Sequence, residues 1–474
     1  MTPRGRRLPD GFTIRIRADV RRHGDKGVLV GGSPLRVVRL SARARELFEG
    51  DRLEVKNATG RAVAERLLDA NLADPDLAGP GPADITVVIP VRDRPDQLDH
   101  ALAAVHPLPC IVVDDASHDP AAVATVAARH GARLVTLVEN VGPAGARNAG
   151  LRHVPTQFVA FVDSDVRVDA ATLGRLARHF ADPAVALAGP LVQSRARSSR
   201  PRWFERYDEQ ASSLALGTTP GSVHPGAAVG WLPSACLVGR VAHLGAGFDP
   251  AMRVGEDVDL VWRLVARGHV VRYEPQETAY HDARPTIGSW LGRKFVYGTG
   301  SAGLAARHGT AVAPAVIPPV AAVGAAAVLL HRRWSWPVAA ASLISSQVRL
   351  KRVLPDIPGR GGLATRLAVR GLGWSVRQES ALLVRHSWPA AAALALVSKP
   401  VRRAVLAGLL VDVAVQVSEL RRPIPPSWLL ARQLDNLAYG AGLWVGALRS
   451  RSPRSLLPRF TRKDGAASGN GVSP

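Results

Sequence analysis

The chain has 474 residues, room enough for two or three domains with sizeable cores, and a net charge of +22. The charge is uneven: residues 1–84 hold 16 basic and 12 acidic side chains, residues 85–284 hold 20 and 21, and residues 285–474 hold 25 and 6. The near-neutral N-terminal part argues against a nucleic-acid-binding arm, and two distant cysteines, Cys110 and Cys236, exclude a disulfide framework and a zinc site.

The opening "MTPRGRRLPDGFTIRIRADV" has early arginines but no apolar stretch long enough for a signal peptide. Translocation is not expected, and a reducing, cytoplasmic compartment fits the cysteine usage. "TIRIRADV" and "LRVVRL" alternate as small strands do. "SARARELFE", with Ser41 as N-cap, and "AVAERLLDANL" have helical patterns. Together they predict a compact winged-helix-like module over residues 1–80. "ADPDLAGPGPAD", Ala73 to Asp84, reads as an interdomain linker because Pro and Gly interrupt every pattern.

From Ile85 apolar runs alternate with helical patterns: "ITVVIP", helix "PDQLDHALAAV", "CIVVDD", helix "PAAVATVAARH", "RLVTLV", a helix from Ala144, then "QFVAFVDSD". The strands are continuous Val/Ile/Leu/Phe runs, as expected of strands covered on both faces, and predict a doubly wound α/β sheet. Ligands bind such sheets at the carboxyl ends of the strands, where Asp93, Asp114, Asp115, Asp163 and Asp165 gather. Asp is also common in turns, and Asp-x-Asp recurs at Asp74/Asp76 and Asp257/Asp259, so the triplet alone carries little. A series of acids along one edge gains a purpose if a divalent cation, Mn2+ or Mg2+, bridges carboxylates to a diphosphate.

"ENVGPAGARNAG" has the glycines of a phosphate loop but the spacing of neither the dinucleotide fingerprint nor the Walker pattern; its Arg147 is a candidate to face a nucleotide. In "GEDVDLVWRLVARGH", Glu256 and Asp257 open a helix. Acids there ordinarily cap, but transfer to a hydroxyl needs a carboxylate to take its proton, and one fixed opposite the metal acids suits that work.

"VVIPVRDRPDQL", "IVVDDAS", "NVGPAGARNAGL", "FVDSDV", "GFDPAM" and "GEDVDLVWRL", in that order, resemble the family 2 glycosyltransferases with the GT-A fold, over roughly Asp84 to Arg284. The resemblance implies a Rossmann-like, mostly parallel sheet. It implies that Pro90, Asp93, Asp114 and Asp115 line the uridine side of a nucleotide-sugar site, without deciding which of the adjacent pair touches the base. By the same resemblance Asp163 lies near ribose and metal and Asp165 is a metal ligand, with His281 in "ETAYHDARP" near the diphosphate and metal. Asp257 becomes the general base of an inverting transfer, and Glu256 shapes the acceptor side. The Gln-x-x-Arg-Trp motif of processive synthases is absent, "IGSWLGRKFVYG" standing in its place, so long-chain processivity is not expected.

"LRVVRLSARARELFEG" and "AERLLDANLADP" resemble PqqD-like domains, which hold precursor peptides. Such a module before a family 2 domain and an Arg-rich apolar tail is similar to the mycofactocin-system glycosyltransferases. That resemblance implies transfer of glucose from UDP-glucose, in short β-1,4 chains, to a small peptide-derived redox cofactor, premycofactocin. A cell-wall or lipid-linked acceptor is the competing expectation.

The expected boundaries are 1–80 for the module, 84–310 for the catalytic domain, 311–460 for a helical membrane-associated region and 461–474 for a disordered tail. "AVAPAVIPPVAAVGAAAVLL", Ala311 to Leu330, is 20 uncharged residues followed by His331, Arg332 and Arg333, a length that suffices to span a bilayer. "WPAAAALALV" and "RAVLAGLLVDVAVQV" are similar in character. They predict a location at the cytoplasmic side of the cell membrane, multi-pass or peripheral.

Overall fold

A computed structural model of the chain describes residues 8–23, 27–82, 84–420 and 423–461. The chain forms two compact units, 1–284 and 285–474. The tail expected to be disordered lies, apart from residue 461, outside the described residues.

The first unit opens with β1 (Thr13–Ile16), β2 (Arg21–His23), β3 (Val28–Gly31), β4 (Arg36–Arg39), α1 (Ala42–Arg45), β5 (Phe48–Glu49), β6 (Arg52–Glu54), α2 (Ala58–Asp69) and β7 (Ala73–Pro75). The strands form two small antiparallel sheets, β5-β6-β1-β7 and β2-β3-β4. Ser41 caps α1 by accepting from Ala44 N, and Asn57 caps α2 by accepting from Gly60 N at 2.8 Å. Ile14, Leu29, Leu53, Val55, Leu67 and Leu72 fill a core common to both sheets and α2. The expected linker starts later than its composition suggests. Ala73–Pro75 pairs with β1, because an edge strand needs no outward N–H and so tolerates Pro75.

The catalytic sheet follows: β8 (Ile85–Val91), α3 (Pro95–Val105), β9 (Cys110–Asp114), α4 (Pro120–Arg129), β10 (Arg133–Thr136), α5 (Gly142–Leu151), β11 (Phe158–Val162), β12 (Val166–Arg167), α6 (Ala170–Ala177), β13 (Val185–Arg195), α7 (Trp203–Ala211), β14 (Gly221–Ser222), β15 (Cys236–Arg240), α8 (Val241–Leu244), α9 (Glu256–Ala266) and β16 (Val270–Asp282). The order is β10-β9-β8-β11-β15-β13-β16-β12, with β14 also on β16. β10, β9, β8 and β11 are parallel, β15 runs against β11 and β13, and β13 is parallel to β16. β8, β9 and β11 are buried along nearly their whole length, as their unbroken apolar runs require, whereas β10, expected to be covered on both faces, is half-exposed because it forms the sheet edge. Gly150 lets α5 lie flat on them, since a Cβ there would stand 2.3 Å from Val88 Cγ1.

The second unit holds α10 (Ile287–His308), β17 (Val316–Ile317), α11 (Pro319–Leu330), α12 (Ser335–Val353), α13 (Arg360–Ala381) ending in a π turn at Leu382–His386, α14 (Trp388–Val397), α15 (Lys399–Leu420), α16 (Pro426–Arg449) and β18 (Arg459–Phe460). Residues 285–310, expected to close the catalytic domain, pack instead on α16: a Cβ at Gly442 would meet Phe295 O at 1.9 Å. Buried Lys294 pairs with buried Asp435 at 3.2 Å across the same helices. The uncharged run from Ala311 is not one helix, because Pro318 and Pro319 restart the chain and leave only the twelve residues of α11. Among the described residues no single helix is long and apolar enough to cross a membrane; α13 with its π turn and α14 pass that test only as a pair bent by 89°.

Candidate active site

β11 delivers Asp163 and Asp165 into a tight turn in which Val166 N donates to Asp163 O. The short β12 beyond it pairs with the end of β16, Val166 opposite His281, and so carries His281 beside Asp165. His281 Nε2 is 3.5 Å from Asp165 Oδ2, Arg94 Nη1 is 2.6 Å from it and Arg284 Nη2 is 3.7 Å. Asp165 is almost fully buried; burial alone would raise its pKa, but His281, Arg94 and Arg284 outweigh it and hold the carboxyl well below the usual range. Sequence reasoning singled out neither arginine. Arg94, just before α3, and Arg284, three residues past His281, become visible only once β16 closes on the turn.

The other acids of the edge divide their tasks. Asp115 gives both oxygens to the start of α5, accepting from Val141 N at 2.8 Å and Gly142 N at 3.0 Å. Asp114 accepts from Ser117 N through Oδ1, while its buried Oδ2 has no protein partner. Pro90 lies near the end of β8, partly exposed. Asp93, exposed and at φ 57°, accepts from His118 N at 2.7 Å and lies 2.9 Å from its ring, contacts that lower its pKa. It stands apart from Asp163 and Asp165 in these contacts.

Arg147 does not present its guanidinium to solvent as a nucleotide ligand would. It is 2 % exposed and bridges Asp163 Oδ1 at 2.5 Å to Glu256 Oε1 at 3.2 Å, with Phe248 5.3 Å from its charged carbon. Glu256 and Asp257 begin α9 after Gly255, whose φ of 82° suits a residue without a side chain. Asp257 is partly exposed and accepts from Ser234 N at 3.3 Å. Desolvation, then the charge of Glu256, pushes its carboxyl up to about 7, against the lowering effects of its amide donors and Arg147. Asp259 points the other way, buried against Arg263 at 2.7 Å. Of three Asp-x-Asp triplets, Asp74/Asp76 serves the N-terminal module through Arg272, Arg15 and Arg52, and Asp257/Asp259 divides between cleft and core.

Among the described residues no three His, Cys, Asp or Glu side chains gather as a complete metal cage. Asp165 and His281 nonetheless fit a divalent cation that draws its other ligands from diphosphate oxygens and water, because Asp165 stays ionised and both donors meet at one point.

A mostly parallel α/β sheet with acids gathered at its strand ends, tied through Arg147 to the acids that begin α9, is the arrangement expected of a glycosyltransferase of the GT-A fold. Residues 86–230 match Glycosyl transferase family 2. A pre-mycofactocin glycosyltransferase of Mycobacterium tuberculosis is 38% identical over 469 residues, 96% of this chain and 99% of that protein. Succinoglycan biosynthesis protein ExoW of Rhizobium meliloti is 42% identical over 94 residues, 18% of this chain and 30% of that protein. A solved mannosyltransferase from Pyrobaculum calidifontis, in complex with GDP-Man and Mn2+, is 20% identical with a TM-score of 0.37, over 73% of this chain and 91% of that one. The chain belongs to the family 2 glycosyltransferases, in the mycofactocin-system group.

Proposed function

We propose that the enzyme transfers glucose from UDP-glucose, with inversion, to premycofactocin, a small peptide-derived redox cofactor precursor, and extends it as a short β-1,4 glucan. The observation that carries this reading is the placement of Asp257 at the start of α9, where it accepts from Ser234 N at 3.3 Å and follows Glu256, which Arg147 ties to Asp163 of the acidic turn. Its acceptor comes from the full-length similarity to the pre-mycofactocin glycosyltransferase.

Asp114, through the oxygen that no protein group occupies, takes the uracil, with Pro90 and Asp93 beside it. Asp115 shapes the loop at Val141 and Gly142 on which the nucleotide rests. Asp165 and His281 hold Mn2+ or Mg2+, and Asp163 lies toward the ribose. The cation supplies counter-charge for the diphosphate leaving group. Arg94 and Arg284 add fixed positive charge at the same point. Asp257, ionised above its pKa, accepts the proton of the attacking hydroxyl as the bond to the anomeric carbon forms on the face opposite the departing diphosphate, and that displacement inverts the centre. Glu256 keeps Asp257 basic and is itself held by Arg147.

The second unit associates with the cytoplasmic face of the membrane. Leu394, Leu396, Val397, Leu406 and Leu410 are exposed on α14 and α15, next to the basic Lys399, Arg402 and Arg403. The test of the catalytic reading is to incubate purified full-length protein with UDP-glucose, Mn2+ and premycofactocin and to weigh the product. Hexose additions with β anomeric signals are expected. No addition to premycofactocin, with transfer to a lipid-linked acceptor instead, overturns the acceptor assignment.

A further inference from the structure

Besides the Arg272–Asp74 ion pair on β16, the N-terminal module meets the catalytic half on one loop. Asn71 follows α2 with φ 53°, a left-handed conformation that Asn tolerates better than most residues, and it is 3 % exposed. Its side-chain oxygen accepts from Ser222 N at 2.6 Å, and its amide donates to Ser222 O at 3.2 Å and to Ser33 O at 2.9 Å. Asn71 thereby bonds Ser222 in both directions, as a neighbouring strand would. Ser222 Oγ donates to Leu68 O at 3.4 Å, Arg17 donates to Pro220 O, and Ala228 N donates to Ser33 Oγ. Three fastenings from the module thus hold the backbone at 220, 222 and 228.

The far end of this loop belongs to the chemistry. Gly230 O accepts from Trp262 Nε1 at 2.7 Å, and Trp262 lies on α9, the helix that Glu256 and Asp257 begin. Four residues on, Ser234 N donates to the Asp257 carboxylate. Between the fastenings Pro225, Gly226 and Ala228 are exposed, and beyond β14 the loop has no ladder of its own before β15. Val223, Val229 and Leu232 anchor the loop in the core, so the exposed stretch 225–228 between those anchors is the part that opens most readily unless something outside holds it.

We propose that Asn71 and Ser33 are positioning residues for the acceptor: they hold loop 220–234 as one wall of the acceptor site, so that the small N-terminal module sets where the acceptor hydroxyl meets Asp257. The inference rests on the reading of Asp257 as the base. An acceptor held a fraction of an ångström off line loses rate steeply, so a wall anchored by another module is also a means of selecting acceptors. The donor side has no bond to Asn71 or Ser33, because Asp114, Asp115, Asp163 and Asp165 stand at or just past the ends of β9 and β11 in the sheet itself.

The test uses the full chain. Asn71→Gly keeps the left-handed backbone and removes every side-chain bond to Ser222 and Ser33; Ser33→Ala removes the bond to Ala228. With UDP-glucose as donor and premycofactocin as acceptor, Asn71→Gly raises the acceptor KM about tenfold relative to the donor KM, and transfer falls against hydrolysis of UDP-glucose. Asn71→Asp, which keeps the oxygen facing Ser222 N but loses both donated bonds, falls between Asn71→Gly and the parent. Hydrogen exchange provides a readout independent of the acceptor: amides of 220–234 lose protection in Asn71→Gly while those of β8–β11 keep theirs. An acceptor-to-donor KM ratio equal to the parent's overturns the proposal, as does unchanged protection at 220–234. If the parent enzyme leaves premycofactocin unmodified, the acceptor assignment fails, and the exchange result still decides whether the module holds the loop.

Discussion

Arg147 Nη2 lies 2.5 Å from Asp163 Oδ1, so a side chain buried in α5 ties the acidic turn after β11 to the rest of the cleft. Its other arm reaches Glu256 at the start of α9, which makes one guanidinium the spacer between Asp163 and Glu256. Arg147→Met leaves both carboxylates without their counter-charge. The expected cost is about 3 kcal/mol in denaturant unfolding, in the range for breaking a buried pair. Arg147→Lys keeps a charge but cannot hold both partners with one planar fork. It is expected to recover part of the stability with transfer still depressed; full transfer activity in Arg147→Lys refutes the spacer role.

The pH dependence follows from Asp257. Its carboxyl is raised to about 7 by burial and by Glu256, and it accepts a proton only when ionised. kcat/KM should therefore climb as pH rises through about 7 and level off above it. Glu256→Gln removes a like charge, so the limb should move to lower pH. Asp257→Asn should bind UDP-glucose yet transfer roughly two to four orders of magnitude more slowly, the usual share of a general base. A flat profile between pH 5 and pH 8 in the parent enzyme removes Asp257 from that role.

Asp165 is a harder position to substitute than a surface ligand. Its carboxylate answers two arginines, Arg94 and Arg284, inside the protein, with His281 beside it. Asp165→Ala should lose activity and also stability, because those charges repel one another once it is gone. Asp165→Asn, close in shape, is the cleaner test. It should unfold at a lower denaturant concentration than the parent, and Mn2+ binding measured by calorimetry should weaken at least about tenfold, the scale on which loss of a supporting metal contact is felt. Unchanged Mn2+ affinity shows that the cation sits elsewhere.

Much of this arrangement was legible in the sequence for local reasons. α3 begins and ends where its pattern predicts, Pro95 to Val105, because Pro at the first helical position and the apolar face Leu98, Ala101, Leu102 and Val105 act within one segment. β8, β9 and β11 were legible because burial on both faces leaves unbroken apolar runs; the edge strand β10 carries a similar run without that burial. Partners supplied from a distance were not. Nothing local to "FVDSDV" says that β12 will pair with the end of β16, or that Arg94 and Arg284 will meet Asp165. The start of α5 was also missed: the helix begins at Gly142, not Ala144, because Asp115 satisfies the first amides from another strand. In the second unit, hydropathy over Ala311–Leu330 suggested a span, whereas backbone chemistry at Pro318 and Pro319 set the length of the helix.

The close contact of α10 with α16 gives a separate test. Gly298 and Gly442 face one another's helix so tightly that a Cβ at Gly298 would meet Tyr439 O at 2.2 Å. Gly442→Val forces the helices apart and separates Lys294 from Asp435. Limited proteolysis should then cut within 287–449 faster than in the parent, whereas Gly292→Ala, where a Cβ meets nothing within 4 Å, should not. Equal cleavage rates for Gly442→Val and the parent contradict the packing.

Removing the N-terminal module is the most demanding prediction, because the module is fastened by buried charge as well as by Asn71. Arg272, on β16 and 2 % exposed, donates to Ser222 Oγ at 2.9 Å and to Asp74 Oδ1 at 3.1 Å, and Asp74 lies 3.7 Å from Arg17. A chain starting at residue 81 loses Asp74 and Asn71 together, and it uncovers the strand that carries His281 at its far end. Donor hydrolysis with Mn2+ needs residues of the sheet alone, but the sheet would now carry a guanidinium stripped of its carboxylate, at a cost of about 1–3 kcal/mol. Truncation is therefore expected to lower the denaturation midpoint and to weaken transfer more than hydrolysis. Arg272→Met in the truncated chain separates the two effects. It replaces the orphaned charge with apolar volume, so it should restore stability and hydrolysis while transfer to premycofactocin stays low. If Arg272→Met restores transfer as well, the module's contribution is stability alone, and its part in holding the acceptor is refuted.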